Sequence, residues 1–189
     1  MLGVNMKGVD AAGGNRPGAG GYVIRITRVT NRMQKQDIEI EYDIIEGEFS
    51  GYYMDLFQRR KFWGAKFYKS YKEGALPFLR SFVDTIIECN PGSQDILVGE
   101  NEDIDETKLQ GKIIGIVYGM EEYIGNDGKL KQRPDYFGAE FITPDRIRAG
   151  EFSVPDLKPM DNSSMQPSSA GVVDTTTGFG PQRDDDIPF

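Results

Sequence analysis

The middle of the chain alternates between apolar and polar side chains, which predicts β-strands. Residues 22–29 place Tyr22, Ile24 and Ile26 on one face of an extended segment, because neighbouring side chains of a strand point to opposite sides. Residues 37–45 alternate more cleanly. The face predicted to be buried carries Ile38, Ile40, Tyr42 and Ile44, and the opposite face carries Glu39, Glu41 and Asp43. We expect two strands, each with one hydrated face.

A third strand region is predicted over residues 51–70, with a break near residues 58–61. Its last part also alternates with period two. The alternation predicts Trp63, Ala65 and Phe67 inward and Phe62, Lys66 and Tyr68 outward. Trp63 is therefore interpreted as a core residue slightly in preference to a stacking platform.

Apolar residues then recur at helical spacing, which predicts one main helix. These positions are Leu76, Leu79, Phe82, Val83, Ile86 and Ile87. Pro77 suits a first helical turn, and the Asn-Pro-Gly sequence of residues 90–92 ends the helix. Two further strands are predicted at residues 112–118 and 136–143, with a turn at 125–128 between them. In the last strand we expect Phe137, Ala139 and Phe141 to point inward.

The order strand, strand, strand, helix, strand, strand is that of the OB-fold, a five-stranded partly open barrel. The fold class expected is all-β with one main helix, flanked by disordered termini. A sandwich fragment or an SH3-like barrel would also accommodate five short strands. The position of the helix favours the OB-fold.

Composition divides the chain into four parts. Residues 1–21 are a Gly-rich arm with too little apolar content to pack, residues 22–158 form the globular domain, and residues 159–183 are a linker rich in Pro, Gly, Ser and Thr. Residues 184–189 are the acidic C-terminal tip. We expect both the arm and the linker to be disordered.

Charge and residue usage exclude several classes of protein. The formal net charge is −8, histidine is absent and Cys89 is the only cysteine. Catalysis by Ser-His-Asp or Cys-His groups, zinc sites containing histidine and internal disulfides are excluded. No apolar stretch is long enough to span a bilayer and no secretion signal is visible, so we expect a soluble cytoplasmic protein without membrane partners.

Cations and aromatic rings are concentrated in residues 57–72. The segment holds six basic residues, six aromatic residues and no acid. This mixture is typical of proteins that bind single-stranded nucleic acid, because cations neutralise phosphates while rings stack on unpaired bases. The candidate contacts in the segment are Arg59, Arg60, Lys61, Phe62, Trp63, Lys66, Tyr68, Lys69, Tyr71 and Lys72. A solvated basic face is the competing interpretation.

Further candidate contacts lie outside that segment. Arg25 lies on the first strand, and Lys129, Lys131 and Arg133 lie in the predicted loop between the last two strands. The acidic face of the second strand would repel a nucleic acid, so we expect either that Arg25 or Lys66 neutralises it across the sheet or that the bound strand avoids it. Acids between residues 95 and 106 suggest a metal-dependent nuclease, but their spacing matches no calcium loop and a solvated loop is favoured.

The chain finishes Asp184, Asp185, Asp186, Ile187, Pro188 and Phe189. Acids followed by an apolar ring and a free carboxylate suit a partner with an apolar pocket bordered by Arg or Lys. The tip resembles that of bacterial single-stranded DNA-binding proteins, and the body resembles their phage and prophage relatives. The body segments that carry this resemblance are residues 20–23, 67–72, 90–92 and 111–115. Gln182 and Arg183 depart from the family, where acid and aromatic residues often precede the tip.

The resemblance implies a non-catalytic protein that binds and protects single-stranded DNA during replication, recombination and repair. It implies that the tip recruits enzymes of those processes, in a bacterial host cell if the protein is phage-encoded. The rival hypotheses are an OB-fold adaptor that binds only proteins and the metal-dependent nuclease. The sequence does not select among a monomer and homo-oligomers.

Overall fold

Strands account for most of the regular secondary structure in the computed structural model, which describes residues 16–160. The strands are β1 (Gly20–Arg32), β2 (Asp37–Ile44), β3 (Lys66–Ser70), β4 (Leu97–Val98), β5 (Asp103–Ile104), β6 (Ile113–Ile124) and β7 (Leu130–Ile142). The helices are α1 (Tyr52–Arg60), α2 (Leu76–Cys89) and α3 (Pro144–Ala149). The linker beyond residue 160, the C-terminal tip and the first part of the N-terminal arm lie outside the described residues.

Five of these strands form one antiparallel sheet in the order β3-β2-β1-β6-β7, while β4 and β5 pair separately. The edge strands β3 and β7 are not hydrogen-bonded to each other, so the sheet is not closed. Side chains meet across this gap: the ring centroids of Phe67 and Phe141 are 5.0 Å apart, and Phe82 of α2 lies 4.9 Å from Phe141. The expected mostly-β class with one main helix is confirmed.

The core follows the predicted periodicities closely. Ile38, Ile40, Tyr42 and Ile44 of β2 are buried, as are Leu79, Phe82, Val83 and Ile86 of α2. Asn90 ends α2 by donating to the carbonyls of Ile86 and Ile113, and its side-chain oxygen accepts the Ile113 N–H. That residue therefore ties the main helix to β6. None of the helices within residues 16–160 is long and apolar enough to cross a bilayer.

Residues 52–57 were predicted as strand, and this prediction is wrong: they belong to helix α1, which continues through the predicted break to Arg60 and packs on β2. Tyr53 is buried and Leu56 packs against the core, at the spacing of one helical turn. Gly51 precedes α1 with φ of 77°, and Lys61 ends it with φ of 55°. The many aromatic residues favour a strand locally, but packing against the acidic face of β2 selects the helix.

The acidic face of β2 was predicted to be hydrated, and this is also wrong. Glu41 and Asp43 are each only 8% exposed. Helix α1 lies against this part of the strand, so both carboxylates require partners inside the protein. The groups that pair with these two carboxylates determine how much negative charge the surface beside α1 presents.

The hairpin of β6 and β7 is longer than the sequence predicts. Lys131 and Arg133 consequently lie within β7 and not in the connecting loop. The predicted inward position of Phe137 is wrong, because this ring is 98% exposed. The pairing of β6 with β7 shifts register between Val117 and Gly119, and the Asp135 carboxylate accepts the N–H groups of Phe137 and Gly138. This bulge turns Phe137 to the outside.

Candidate nucleic-acid interface

Three consecutive cations project from the end of helix α1. Arg59, Arg60 and Lys61 are exposed, and none forms an ion pair within residues 16–160. Arg59 makes only a 3.4 Å hydrogen bond from Nε to the Asp55 carbonyl. Cations at a helix C-terminus also favour the helix itself, but their charges remain available to a ligand.

A groove of about 290 Å³ lies against helix α1, whose C-terminal end carries this cationic cluster. Its lining consists of Thr27, Arg28, Glu41, Met54, Phe57 and Trp63. The centroids of the Phe57 and Trp63 rings are 5.6 Å apart and their planes are inclined by 55°. Phe57 and the neighbouring Phe62 are each 39% exposed. We call this feature the α1 groove.

Trp63 is rigidly placed in the α1 groove. Its Nε1–H donates to the carbonyls of Tyr42, at 3.2 Å, and Ala65, at 3.1 Å. The ring packs against the hydrophobic core while also lining the groove. The two interpretations of Trp63, core residue and platform, are thus compatible in this structure.

Asp43 holds α1 in the orientation that forms this groove. Its carboxylate accepts the backbone N–H groups of Tyr53 and Ile44, each at 3.0 Å. Burial raises the pKa of the Asp43 carboxyl, and these donors offset part of the rise. Asp43 satisfies an N–H group in the first turn of α1 from a neighbouring strand. The helix therefore depends on a residue that precedes it by ten positions.

The other acids of β2 are neutralised by arginines that the sequence analysis did not select. Glu41 accepts from Arg28 at 2.5 Å. Glu39 lies 3.7 Å from Arg32 and 3.4 Å from Lys66, so the expected role of Lys66 is confirmed. Arg25, the other cation named for this role, is exposed and forms no ion pair among the described residues.

Two residues predicted to contact DNA, Tyr68 and Lys69, have side chains that contact other side chains of the protein. The Arg32 guanidinium lies 4.0 Å from the centre of the Tyr68 ring and covers one of its faces. Lys69 points into the gap between the edge strands, 4.1 Å from the Phe141 ring and 5.2 Å from Phe82. Burial lowers the pKa of Lys69 to about 8.

Other predicted contacts lie away from the α1 groove. The Tyr71 hydroxyl donates to Asn31, and both line a second groove with an acidic border. Lys131 pairs with Asp127, and Arg133 pairs with Glu121, so both form an ion pair with a residue of their own hairpin. Lys72 and Lys129 are exposed and form no ion pair within residues 16–160. Of the contacts predicted from the sequence, the structure thus brings together Arg59, Arg60, Lys61, Phe62 and Trp63. The other predicted contacts lie elsewhere on the domain.

Phe57, Met54 and Arg28 line the α1 groove but were not selected as contacts from the sequence. The signal that was available is the spacing of Tyr53, Leu56 and Phe57, which matches one face of a helix. Arg28 carried no such signal, because its role depends on a partner in another strand. Within residues 16–160, no three acidic or cysteine side chains gather closely enough to hold a metal ion.

Comparison with protein-family models finds no family that matches the chain. Comparison with curated proteins also finds no match. The function must therefore be argued from the chain's own residues.

Proposed function

We propose that this protein binds single-stranded DNA without catalysis and that the α1 groove is its main contact. The observation that carries the proposal is the unpaired cluster of Arg59, Arg60 and Lys61 beside the rigid Trp63 ring. Most other arginines of the described range are engaged by carboxylates. The cluster therefore retains its charge for an external anion.

The chemistry of the groove suits an unpaired strand better than a duplex. Each cation that contacts a phosphate releases condensed counterions, which supplies affinity without regard to sequence. The exposed rings of Phe57 and Phe62 and the partly buried ring of Trp63 offer surfaces for bases that have lost their stacking partners, and each such stack is worth roughly 1–3 kcal/mol. A duplex keeps its base faces stacked on one another, so it gains only the electrostatic part.

The arrangement of elements supports an OB-type barrel as the scaffold. The order β3-β2-β1-β6-β7, with α2 between β3 and β6 in the chain, follows the connectivity of that fold. The contacting side chains of Phe67, Phe82 and Phe141 fill the gap where β3 and β7 would meet in a closed barrel. We infer a partly open barrel, in keeping with the proposed class.

The role of the C-terminal tip rests on its sequence and on the resemblance to bacterial single-stranded DNA-binding proteins. Three acids followed by Ile187, Pro188 and Phe189 suit a partner's apolar pocket bordered by cations. We propose that the tip brings enzymes of replication, recombination or repair to the coated strand. Residues 159–183, rich in Pro, Gly, Ser and Thr, have the composition of a linker between the domain and the tip.

The strand-binding proposal is tested by titrating labelled oligo-thymidine and a duplex of equal length at several salt concentrations. We expect preference for the single strand, a negative dependence of log affinity on log salt, and quenching of the sole tryptophan, Trp63. With magnesium present, the oligonucleotide should keep its full length. Equal affinity for strand and duplex, or no quenching, would contradict the proposal, and cleavage would favour the nuclease hypothesis.

The tip proposal is tested separately with an immobilised peptide of residues 184–189 and purified bacterial replication and repair enzymes. A peptide with Phe189→Ala keeps every acid and is the matched control. We expect binding to the native peptide and a loss of binding to the control, because the terminal ring fills the apolar pocket. Equal retention by both peptides would reduce the interaction to nonspecific charge attraction.

A further inference from the structure

A second groove, larger than the first, lies at the opposite end of β2 between β1, the start of α2 and the β4–β5 hairpin. Its volume is about 760 Å³. The apolar part of its lining includes Met33, 75% exposed, and Leu76, 47% exposed, with Leu79, Leu97 and Ile104 beneath them. We call it the acidic groove because Glu102, Asp103 and Glu106 lie along its border.

The charges of the acidic groove are not balanced within the described chain. Arg80 is the one cation in its lining, and it is engaged by both Asp84 and Glu102. Glu106 accepts only a neutral donor, the side-chain amide of Asn31 at 3.0 Å. Asp103 is exposed and has no cationic partner within residues 16–160. The groove therefore repels nucleic acid and the acidic tip and favours an apolar ligand that carries positive charge.

The end of helix α1 has the complementary chemistry. Met54 is 40% exposed, Phe57 and Phe62 are each 39% exposed, and three unpaired cations accompany these apolar side chains. One surface thus presents apolar side chains beside positive charge, and the other presents an apolar depression bordered by negative charge. Such matched potentials guide association and determine register.

A single molecule cannot bring these two surfaces together. Helix α1 is anchored to β2 through Asp43, whereas the acidic groove contains Ile38, five residues earlier on the same strand. Five strand residues span roughly 17 Å, and the side chains of Ile38 and Asp43 point to opposite faces of the sheet. The partner for the groove on one molecule must therefore come from another.

We propose that the acidic groove of one molecule binds the α1 end of a second copy of this chain. The contact is head to tail, so a pair of copies keeps one groove and one α1 end free, and further copies can add to form a ring or an open filament. Binding of a second copy covers the cationic cluster and the α1 groove. This interface does not depend on strand binding for its formation, but it would compete with it.

The test is charge reversal followed by mixing, monitored by sedimentation velocity at low and high salt. One variant carries Asp103→Lys and Glu106→Lys, and the other carries Arg59→Glu, Arg60→Glu and Lys61→Glu. The full chain should associate at low salt and weaken roughly 10-fold to 100-fold as salt screens the interface. Each variant alone should stay monomeric, because its two surfaces now repel. An equimolar mixture should associate again, since every groove then meets a helix end of opposite charge.

Recovery in the mixture separates the proposed interface from a folding defect, which mixing would not repair. A control variant with Glu151→Lys and Asp156→Lys changes the net charge by the same amount as the acidic-groove variant, at exposed positions elsewhere, and should associate like the unmodified chain. A monomeric full chain at every salt concentration would overturn the proposal. A mixture that stays monomeric while the full chain associates would also overturn it, by assigning the contact to other surfaces.

Oligo-thymidine added to the assembled full chain distinguishes this interface from the proposed function. Dissociation of the assembly supports competition for the α1 end. If the oligonucleotide does not bind at all, the proposed strand binding fails while recovery in the mixture still establishes the head-to-tail contact. An oligonucleotide that binds and leaves the assembly intact would overturn the shared use of the α1 end.

Discussion

The α1 groove and the acidic groove lie at opposite ends of β2 and are both lined by large apolar side chains, yet they suit opposite ligands. The first lies against helix α1, which ends in the cations Arg59, Arg60 and Lys61, and the second is bordered by Asp103 and Glu106. Both borders matter because their charges lack ion-pair partners among the described residues. Ion pairing, more than composition, distinguishes charged surface that is free to bind a ligand from surface whose charges are already paired within the protein.

The acidic face of β2 also shows that ion pairing decides which charges can act on a ligand. Glu39, Glu41 and Asp43 form a run of acids beside the α1 groove, which would repel a phosphate chain if their charges were free. Arginines, a lysine and backbone N–H groups engage all three. Because each carboxylate has a partner inside the protein, its repulsion of a phosphate chain is reduced. The neighbouring cations keep the local potential positive.

The largest expected effect comes from removing the charges that distinguish the α1 groove. Replacing Arg59, Arg60 and Lys61 together by Gln should weaken oligo-thymidine binding at least about 100-fold at low salt and reduce the salt slope by about 2, at roughly 0.7 per lost contact. Fluorescence anisotropy across a salt series measures both quantities.

The matched control for that variant replaces Lys72 and Lys129 by Gln. Both are exposed, unpaired cations in the described range that the sequence alone nominates equally well. Their loss should change affinity less than fivefold or so, as expected of charges outside the contact surface. A fall as steep as that of the α1 variant would show that total charge, not the groove, controls binding.

A smaller effect is expected from removing one ring of the α1 groove. Phe57→Ala should weaken strand binding about 5-fold to 150-fold, since one stacked base is worth roughly 1–3 kcal/mol. It should also reduce quenching of Trp63, which remains as the reporter. Phe78→Ala is the control, because this ring is 72% exposed on α2 and lies outside both groove linings. Equal losses in both variants would contradict the stacking role.

Lys69 sharpens the comparison because its charge is buried in the gap between β3 and β7. Its pKa is lowered to about 8 in the folded protein, against about 10.4 in an unfolded chain. The unfolded chain binds more protons between these values, so stability should rise as pH increases from 8 to 10.4.

The variant Lys69→Met should abolish this pH-dependent rise and gain roughly 2 kcal/mol of unfolding free energy near neutral pH, once partial exposure of the ammonium is allowed for. Urea unfolding at several pH values measures the change. The affinity for oligo-thymidine should stay the same, because Lys69 does not border the α1 groove. A parallel pH dependence in the variant and the unmodified protein would assign the titration to another group.

The smallest effect is expected at Tyr71, which the sequence places among the strand contacts and the structure places in the acidic groove. Its hydroxyl donates to Asn31 at 3.1 Å. Replacement by Phe should leave strand affinity within about twofold and reduce stability by about 1 kcal/mol, the typical value of one hydrogen bond. Thermal unfolding and the oligonucleotide titration check the two statements. A large loss of strand binding would place the DNA path through the acidic groove.

The elements predicted correctly are those whose signal lies within a short stretch of chain. The alternation of β2 and the helical spacing of α2 both reflect burial of one face, which a few neighbouring residues record. Helix α1 was missed because its aromatic residues favour a strand locally, while its capping carboxylate comes from Asp43 on another element. Phe137 was misplaced because a bulge shifts the alternation of β7.

The sequence by itself determined the apolar periodicities, the position of the main helix, the segment where cations and rings are concentrated, and the acidic C-terminal tip. Only the tertiary structure decided which of those charges remain unpaired. An ion pair or a covered ring depends on residues brought together from distant positions, as Arg28 is with Glu41, Arg32 with Tyr68 and Lys69 with Phe141. Local sequence contains no record of such distances, so the separation of a cationic groove from an acidic one appears only after folding.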